Sequence, residues 1–161
     1  MKDKVFFHID VNSAYLSWEA AYRKRHNIEG LDLINIASAV AGSSERRSGI
    51  ILAKSQLAKK LGVKTGEPVC MARNKCPDIY LVPPNFDLYV EYSNRLMDFL
   101  RTYSPSVYQY SIDEAFVDMT GTQRLFGNPI DCADTIRERV RTELGFTINV
   151  GVSDKMVLAK I

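Results

Sequence analysis

The chain has 161 residues, 46% hydrophobic and 25% charged, with a net charge of +2. These are ordinary values for a soluble globular protein, and the length suffices for one good-sized core or one domain carrying a subdomain. Three cysteines without a CxxC spacing and two distant histidines (His8, His26) exclude a disulfide framework and a structural zinc. No apolar run approaches the ~18 residues of a membrane span, and the N-terminus lacks a signal-peptide core, so a cytoplasmic protein is expected. The mildly basic balance permits a nucleic-acid partner without arguing for one.

In chain order, the apolar run VFFHIDV that begins at Val5 reads as a buried strand ending on Asp10. The period then changes: Ala14, Trp18, Ala21, Tyr22 and Arg25 share one face of a helix, with Asn12 or Ser13 as N-cap. Residues 33–41 and 50–53 read as strands of a hairpin with a long basic loop. Residues 55–61 read as a short helix closed by Gly62, and a second short helix opens at Gly66-Glu67-Pro68. Residues 80–82 form a short strand before Pro83-Pro84. A long helix follows over about 87–103, burying Tyr89, Leu96, Phe99, Leu100 and Tyr103. Strands at 107–111 and 115–119 flank an acidic corner. A helix from Asn128-Pro129 carries Ala133, Ile136, Arg137, Val140 and Leu144 in period and ends at Gly145. A last strand at 146–152 and a helix capped by Ser153 complete the order. With 14–79 set aside, the elements read β-α-β-β-α-β, the ferredoxin-like pattern of an α/β (α+β) fold. The chain stops inside an amphipathic helix and reads as part of a longer protein.

That order sets the first and third strands side by side, so Asp10 and the Asp113-Glu114 corner fall on one edge of the sheet. Clustered carboxylates raise each other's pKa unless a cation relieves them. A Mg²⁺ pair does so, and Mg²⁺ takes one or two carboxylates plus substrate phosphates. Taken singly, each acid also reads as a solvated surface group; the argument rests on their joint occurrence in this order.

Two stretches carry a resemblance: His8-Ile9-Asp10-Val11-Asn12-Ser13-Ala14-Tyr15 and Tyr110-Ser111-Ile112-Asp113-Glu114-Ala115-Phe116-Val117-Asp118. They resemble the two catalytic motifs of Y-family translesion DNA polymerases of the bacterial SOS-mutagenesis (ImpB/MucB/SamB) type. The likeness continues through residues 53–66 and into Val150-Gly151-Val152-Ser153 and Leu158-Ala159-Lys160-Ile161. It implies a palm of residues 1–13 and 80–161, truncated at its C-terminus, with a small inserted fingers subdomain of residues 14–79. It implies that Asp10, Asp113 and Glu114, with the Val11 carbonyl, bind two Mg²⁺ ions for nucleotidyl transfer from a dNTP to a primer 3′-hydroxyl, Mn²⁺ being able to substitute. Ser13, Ala14, Tyr15, Gln56 and Lys59 fall at nucleotide-binding positions. By the same resemblance Tyr15 falls at the steric-gate position against a 2′-hydroxyl, its other reading being a core aromatic of the helix, and Gln56 stands where the family often has Tyr. Arg46, Arg47 and Lys160 are candidate DNA contacts or else solvated charges. The implied partners are primer–template DNA, a dNTP, and a sliding clamp or SOS accessory proteins, with no membrane. A nucleotide-cyclase-like palm and a non-catalytic DNA-damage accessory remain as alternatives.

Overall fold

The computed structural model describes residues 3–42 and 49–161. In chain order its elements are β1 (Phe6–Val11), α1 (Ala14–Arg25), β2 (Ser38–Ala41), β3 (Ile51–Lys54), α2 (Gln56–Lys60), α3 (Val69–Lys75), β4 (Tyr80–Val82), α4 (Phe86–Arg101), β5 (Val107–Gln109), β6 (Glu114–Asp118), α5 (Gln123–Phe126), α6 (Pro129–Arg139), a π-helical turn (Val140–Leu144), β7 (Ile148–Ser153) and α7 (Met156–Lys160). They form two compact units, Met1–Asn12 with Val90–Ile161, and Ser13–Tyr89.

The first unit is built on a four-stranded antiparallel sheet in the order β5-β6-β1-β7. This is the strand order of the split βαβ pattern, with β1 central. Along β1 the two-residue period sends Phe7, Ile9 and Val11 to the core and His8 and Asp10 to the other face. Ala115 and Val117 of β6 face the core in the same way. Helix α4 adds Tyr92, Leu96, Met97 and Leu100, and α6 adds Cys132, Ala133 and Ile136.

Helix α6 starts at Pro129, with the Asn128 side chain accepting from the Ile130 N–H at 2.8 Å. It runs into the π-helical turn, closed by Gly145 in the left-handed region (φ 86°). The extra residue in that turn shifts the helical phase. Val140 stays buried and Leu144 beyond it is only half-buried; Arg137, which precedes the turn, is exposed, unlike the uninterrupted face expected from the sequence.

The second unit holds a three-stranded sheet, β3-β2-β4, with β2–β3 antiparallel and β2–β4 parallel. Strand β4 therefore pairs with β2. The strand expected over 33–41 is confined to Ser38–Ala41. The Asp32 carboxylate accepts from Ile34 N–H (3.2 Å) and from the Asn35 side chain (2.7 Å), which turns the chain instead. Ser38 is fully buried; its hydroxyl donates to Leu33 O at 2.6 Å. Ser55 Oγ accepts from both Ser38 N–H and Ala58 N–H at 3.1 Å, tying β2 to the start of α2. Helix α1 buries Ala14, Leu16, Ser17, Trp18, Glu19 and Ala21, so it is enclosed on more than the one face expected from its period. Cys76 and Cys132 are buried and Cys70 is exposed, all as free thiols. No helix among the described residues is long and apolar enough to cross a membrane.

One glycine sets how closely α7 can approach the sheet. Gly151 of β7 pairs with His8, so it lies on the face of β1 that carries Asp10. A Cβ built there would stand 1.8 Å from the Ala159 carbonyl oxygen of α7. Only a residue without a side chain permits that contact. We expect Gly151→Ala to lift α7 off the sheet and destabilise the fold by about 1–3 kcal/mol. Thermal unfolding checks this; an unchanged Tm would show that α7 is not seated against β7.

Candidate active site

The acids are placed by strand register. Asp10 is the last but one residue of β1 and is paired across the sheet with Glu114, the first residue of β6. Residues opposed in this way share a face, so the two carboxylates lie on the side of the sheet away from the core. Asp113 stands at the corner just before β6. Its carbonyl accepts from Val11 N–H at 3.0 Å, and Tyr110 and Ser111 N–H both donate to Glu114 O at 3.0 and 3.2 Å. The corner is also held from α4: Ser93 Oγ donates to Ile112 O at 2.5 Å and accepts from Gln109 Nε2 at 3.1 Å. At the far side of β1, Asn12 Nδ2 donates to Thr147 Oγ1 (3.0 Å) and Asn149 Nδ2 to Asn12 Oδ1 (2.8 Å).

The three acids differ in environment. Glu114 Oε2 lies 2.7 Å from Lys160 Nζ and 3.2 Å from His8 Nε2. The Lys160 bond holds the Glu114 carboxyl below the usual range, against the opposing effect of burial, and His8 adds to the lowering. The Lys160 ammonium sits 4.3 Å above the Tyr110 ring centroid as well, and the carboxylate raises its pKa. Asp113 Oδ1 accepts from Ser111 Oγ at 2.8 Å. Asp10 is half-buried, and its carboxyl is pushed up, by burial first and then by the charges of Asp113 and Glu114; His8 and Lys160 offset this only in part.

Among the described residues, no three His, Cys, Asp or Glu side chains stand close enough together to hold a metal ion as they are placed. The donors nonetheless suit a hard cation: carboxylates on one sheet edge, with one acid destabilised by burial and then by negative charge. Lys160 supplies part of the counter-charge there. Sequence reasoning passed over His8, whose spacing of two from Asp10 on a strand puts it on the acid face. It also passed over Ser93, for which no local signal exists.

The expected nucleotide-binding residues lie in the second unit. Ser13 occupies the N-cap position of α1 in the left-handed region (φ 46°, ψ 54°), without the side-chain cap expected of it. That conformation costs a non-glycine residue about 1–2 kcal/mol. Ala14 is buried and Tyr15 half-buried, its ring stacked on Tyr89 at 4.4 Å between centroids. Gln56 and Lys59 are exposed one turn apart on the same side of α2. Arg46 and Arg47 lie outside the described residues.

The family model described as impB/mucB/samB matches residues 9–161, and the chain belongs to that family. It is 46% identical over 158 residues to the DNA polymerase IV of Clostridium acetobutylicum, covering 98% of this chain and 39% of that protein. It is 38% identical to DNA polymerase IV 2 of Bacillus subtilis, over 100% of this chain and 37% of that one. Among solved structures it is similar to DinB from Sulfolobus solfataricus (26% identity, TM-score 0.79, 97% of this chain and 44% of that chain). It is also similar to Dbh DNA polymerase in an insertion ternary complex (27% identity, TM-score 0.81, 97% and 44%). The chain thus spans about two fifths of the length of the curated relatives it matches.

The raised carboxyl of Asp10 has a consequence for stability. An acid raised in the fold favours its neutral form there. Its contribution is full below the ordinary aspartate value of 3.8 and is lost as pH rises through the raised value. At pH 7 the ionised Asp10 is therefore a cost. With EDTA present, Asp10→Asn is expected to stabilise the fold by about 0.5–2 kcal/mol at pH 7, the gain vanishing near pH 3. Denaturant melts at both pH values measure it, and destabilisation at pH 7 would contradict the assignment.

Proposed function

We propose that the polypeptide carrying this chain is a DNA-directed DNA polymerase of the translesion class and that this chain is its N-terminal catalytic part. The observation that carries this reading is the register that opposes Asp10 to Glu114, with Asp113 at the adjoining corner, in a member of the impB/mucB/samB family. On this reading residues 1–13 and 80–161 are palm and residues 14–79 are fingers, though the pairing of β4 with β2 favours counting 80–82 with the fingers. Primer–template DNA and a dNTP are the substrates, in the cytoplasm, and a sliding clamp or SOS accessory protein is the expected further partner.

In the reaction the primer 3′-hydroxyl gives up its proton to solvent and its oxygen forms a bond to the α-phosphorus of the dNTP, while the bond from that phosphorus to the bridging oxygen breaks, releasing pyrophosphate. Two divalent cations, Mg²⁺ or Mn²⁺, held by Asp10, Asp113, Glu114 and the Val11 carbonyl, supply positive charge to the attacking and leaving oxygens when bound. Glu114 is kept ionised for that role by Lys160 and His8. Asp10, whose charge is unfavourable as it stands, gains most from a cation. Lys59 and Gln56 donate to triphosphate oxygens, Lys59 as a point charge and Gln56 as a neutral donor. Ser13 and Ala14 line the nucleotide. The Tyr15 ring excludes a ribose 2′-hydroxyl by contact. On this reading Lys160, Arg46 and Arg47 are the candidate contacts to DNA phosphates, Lys160 once it leaves Glu114.

Binding of dATP and ATP to this chain, with Mn²⁺ or EDTA, tests the reading. The unaltered chain is expected to bind dATP only with metal and in preference to ATP. Asp113→Asn should weaken binding by about tenfold or more, since even indirect partners of a metal site are worth that much. Tyr15→Ala should bring dATP and ATP close to equal affinity while leaving the metal requirement in place. Binding that ignores both metal and Asp113→Asn would remove the polymerase assignment; an unaltered sugar preference in Tyr15→Ala would remove the gate alone.

A further inference from the structure

The ring of Tyr15 does not stand by itself. Tyr89 lies against it nearly parallel, at 4.4 Å between centroids and 10° between planes. Phe86 meets both rings edge-on, at 6.0 Å and 87° from Tyr15 and at 5.8 Å and 80° from Tyr89. Trp18 closes the cluster at 6.3 and 6.1 Å. Tyr89 is fully buried, and its hydroxyl donates to Glu19 Oε1 at 2.8 Å. Glu19 is only 7% exposed and lies four residues after Tyr15 on α1, on the same side of the helix. One turn of α1 thus presents the ring and the carboxylate that holds the ring beneath it.

A carboxylate in such a place is costly. Burial raises the pKa of Glu19, and burial with the Glu19 charge raises that of Tyr89. A leucine would fill the position without that cost, so packing alone does not account for the pair. What the carboxylate adds is direction: it accepts a bond from one atom of Tyr89 and so fixes where that ring lies. A stacked ring fixed at its hydroxyl end leaves its partner little room to slide or tilt.

We propose that Glu19 is a positioning residue for sugar selection: through its bond to the Tyr89 hydroxyl it fixes the stack on which the Tyr15 ring rests, and so the height at which that ring meets the sugar of a nucleotide. The inference rests on Tyr15 being the sugar gate. Glu19 touches neither sugar nor phosphate and acts through Tyr89. A gate works by a clash of a fraction of an ångström, so loosening its support admits ribonucleotides without removing the ring.

The test uses Glu19→Leu, Glu19→Gln and Tyr89→Phe in this chain, beside Tyr15→Ala, with two readouts. One is the ratio of dATP to ATP affinity with Mn²⁺. The other is near-UV circular dichroism, for which Trp18, the sole tryptophan of the chain, reports on the cluster. Glu19→Leu and Tyr89→Phe are each expected to lower the ratio about tenfold, as for other small displacements of a positioning group, and to weaken the Trp18 signal. Glu19→Gln keeps an acceptor and should retain most of the preference. The double variant Glu19→Leu/Tyr89→Phe should be no worse than either single one. Should Glu19→Leu fail to fold, Tyr89→Phe, which removes one oxygen atom, carries the test. If Tyr15→Ala lowers the ratio but Tyr89→Phe leaves it unchanged, Glu19 is structural only and the inference falls. If Tyr15→Ala leaves the ratio unchanged, or no nucleotide binds, the gate falls and the inference with it.

Discussion

Two like charges opposed across the centre of a sheet are the constraint around which the first unit is arranged. The β1–β6 register leaves Asp10 and Glu114 no choice of face, because a slip of one residue would send Phe7 and Ile9 to solvent. The core therefore fixes the acids. Like charges directly opposite weaken a sheet, and the surrounding residues respond unequally. Lys160 and His8 both attend Glu114 and hold its proton off. Asp10 is raised by burial and then by its acid neighbours, which His8 and Lys160 offset only in part. Environments that push two neighbouring acids apart are a common signature of sites built for chemistry. A structural ion pair would have left both satisfied.

The counter-charge depends on a helix, and the helix depends on a glycine. Lys160 reaches Glu114 because α7 lies against β7 at Gly151, where the Ala159 carbonyl occupies the space of a side chain. The acidic corner is fixed as firmly: Val11 N–H binds the Asp113 carbonyl, and Ser93 of α4 binds that of Ile112. Precision at the acids thus comes from neutral groups that hold the backbone. Ser13, left-handed without a glycine's freedom, is a strained point at the turn that leads to Tyr15.

Much of this was legible in the sequence. The ferredoxin-like order, the central place of β1, and the placement of Asp10 and the Asp113-Glu114 corner on one sheet edge follow from strand length, period and turn residues. The failures have local causes. Residues 33–37 have the composition of a strand, but Asp32 offers their backbone a closer partner. The period of α6 breaks where a π-helical turn inserts a residue before Gly145, which no pattern of apolar residues announces. The single face read for α1 left out Glu19; its burial needs Tyr89, seventy residues on, and short-range patterns cannot supply such a partner. Lys160 could be read as a helix lysine near the end of the chain, while its contact with Glu114 depends on the depth to which Gly151 lets α7 settle.

The most direct measurement is a crystal of this chain grown with Mn²⁺, with the metal located by its anomalous scattering. The account predicts density at about 2.0–2.3 Å from carboxylate oxygens of Asp10 and of Asp113 or Glu114, with the Lys160 ammonium moved off Glu114. Manganese bound elsewhere, with the Lys160–Glu114 pair intact at 2.7 Å, would contradict the claim that this sheet edge is a cation site.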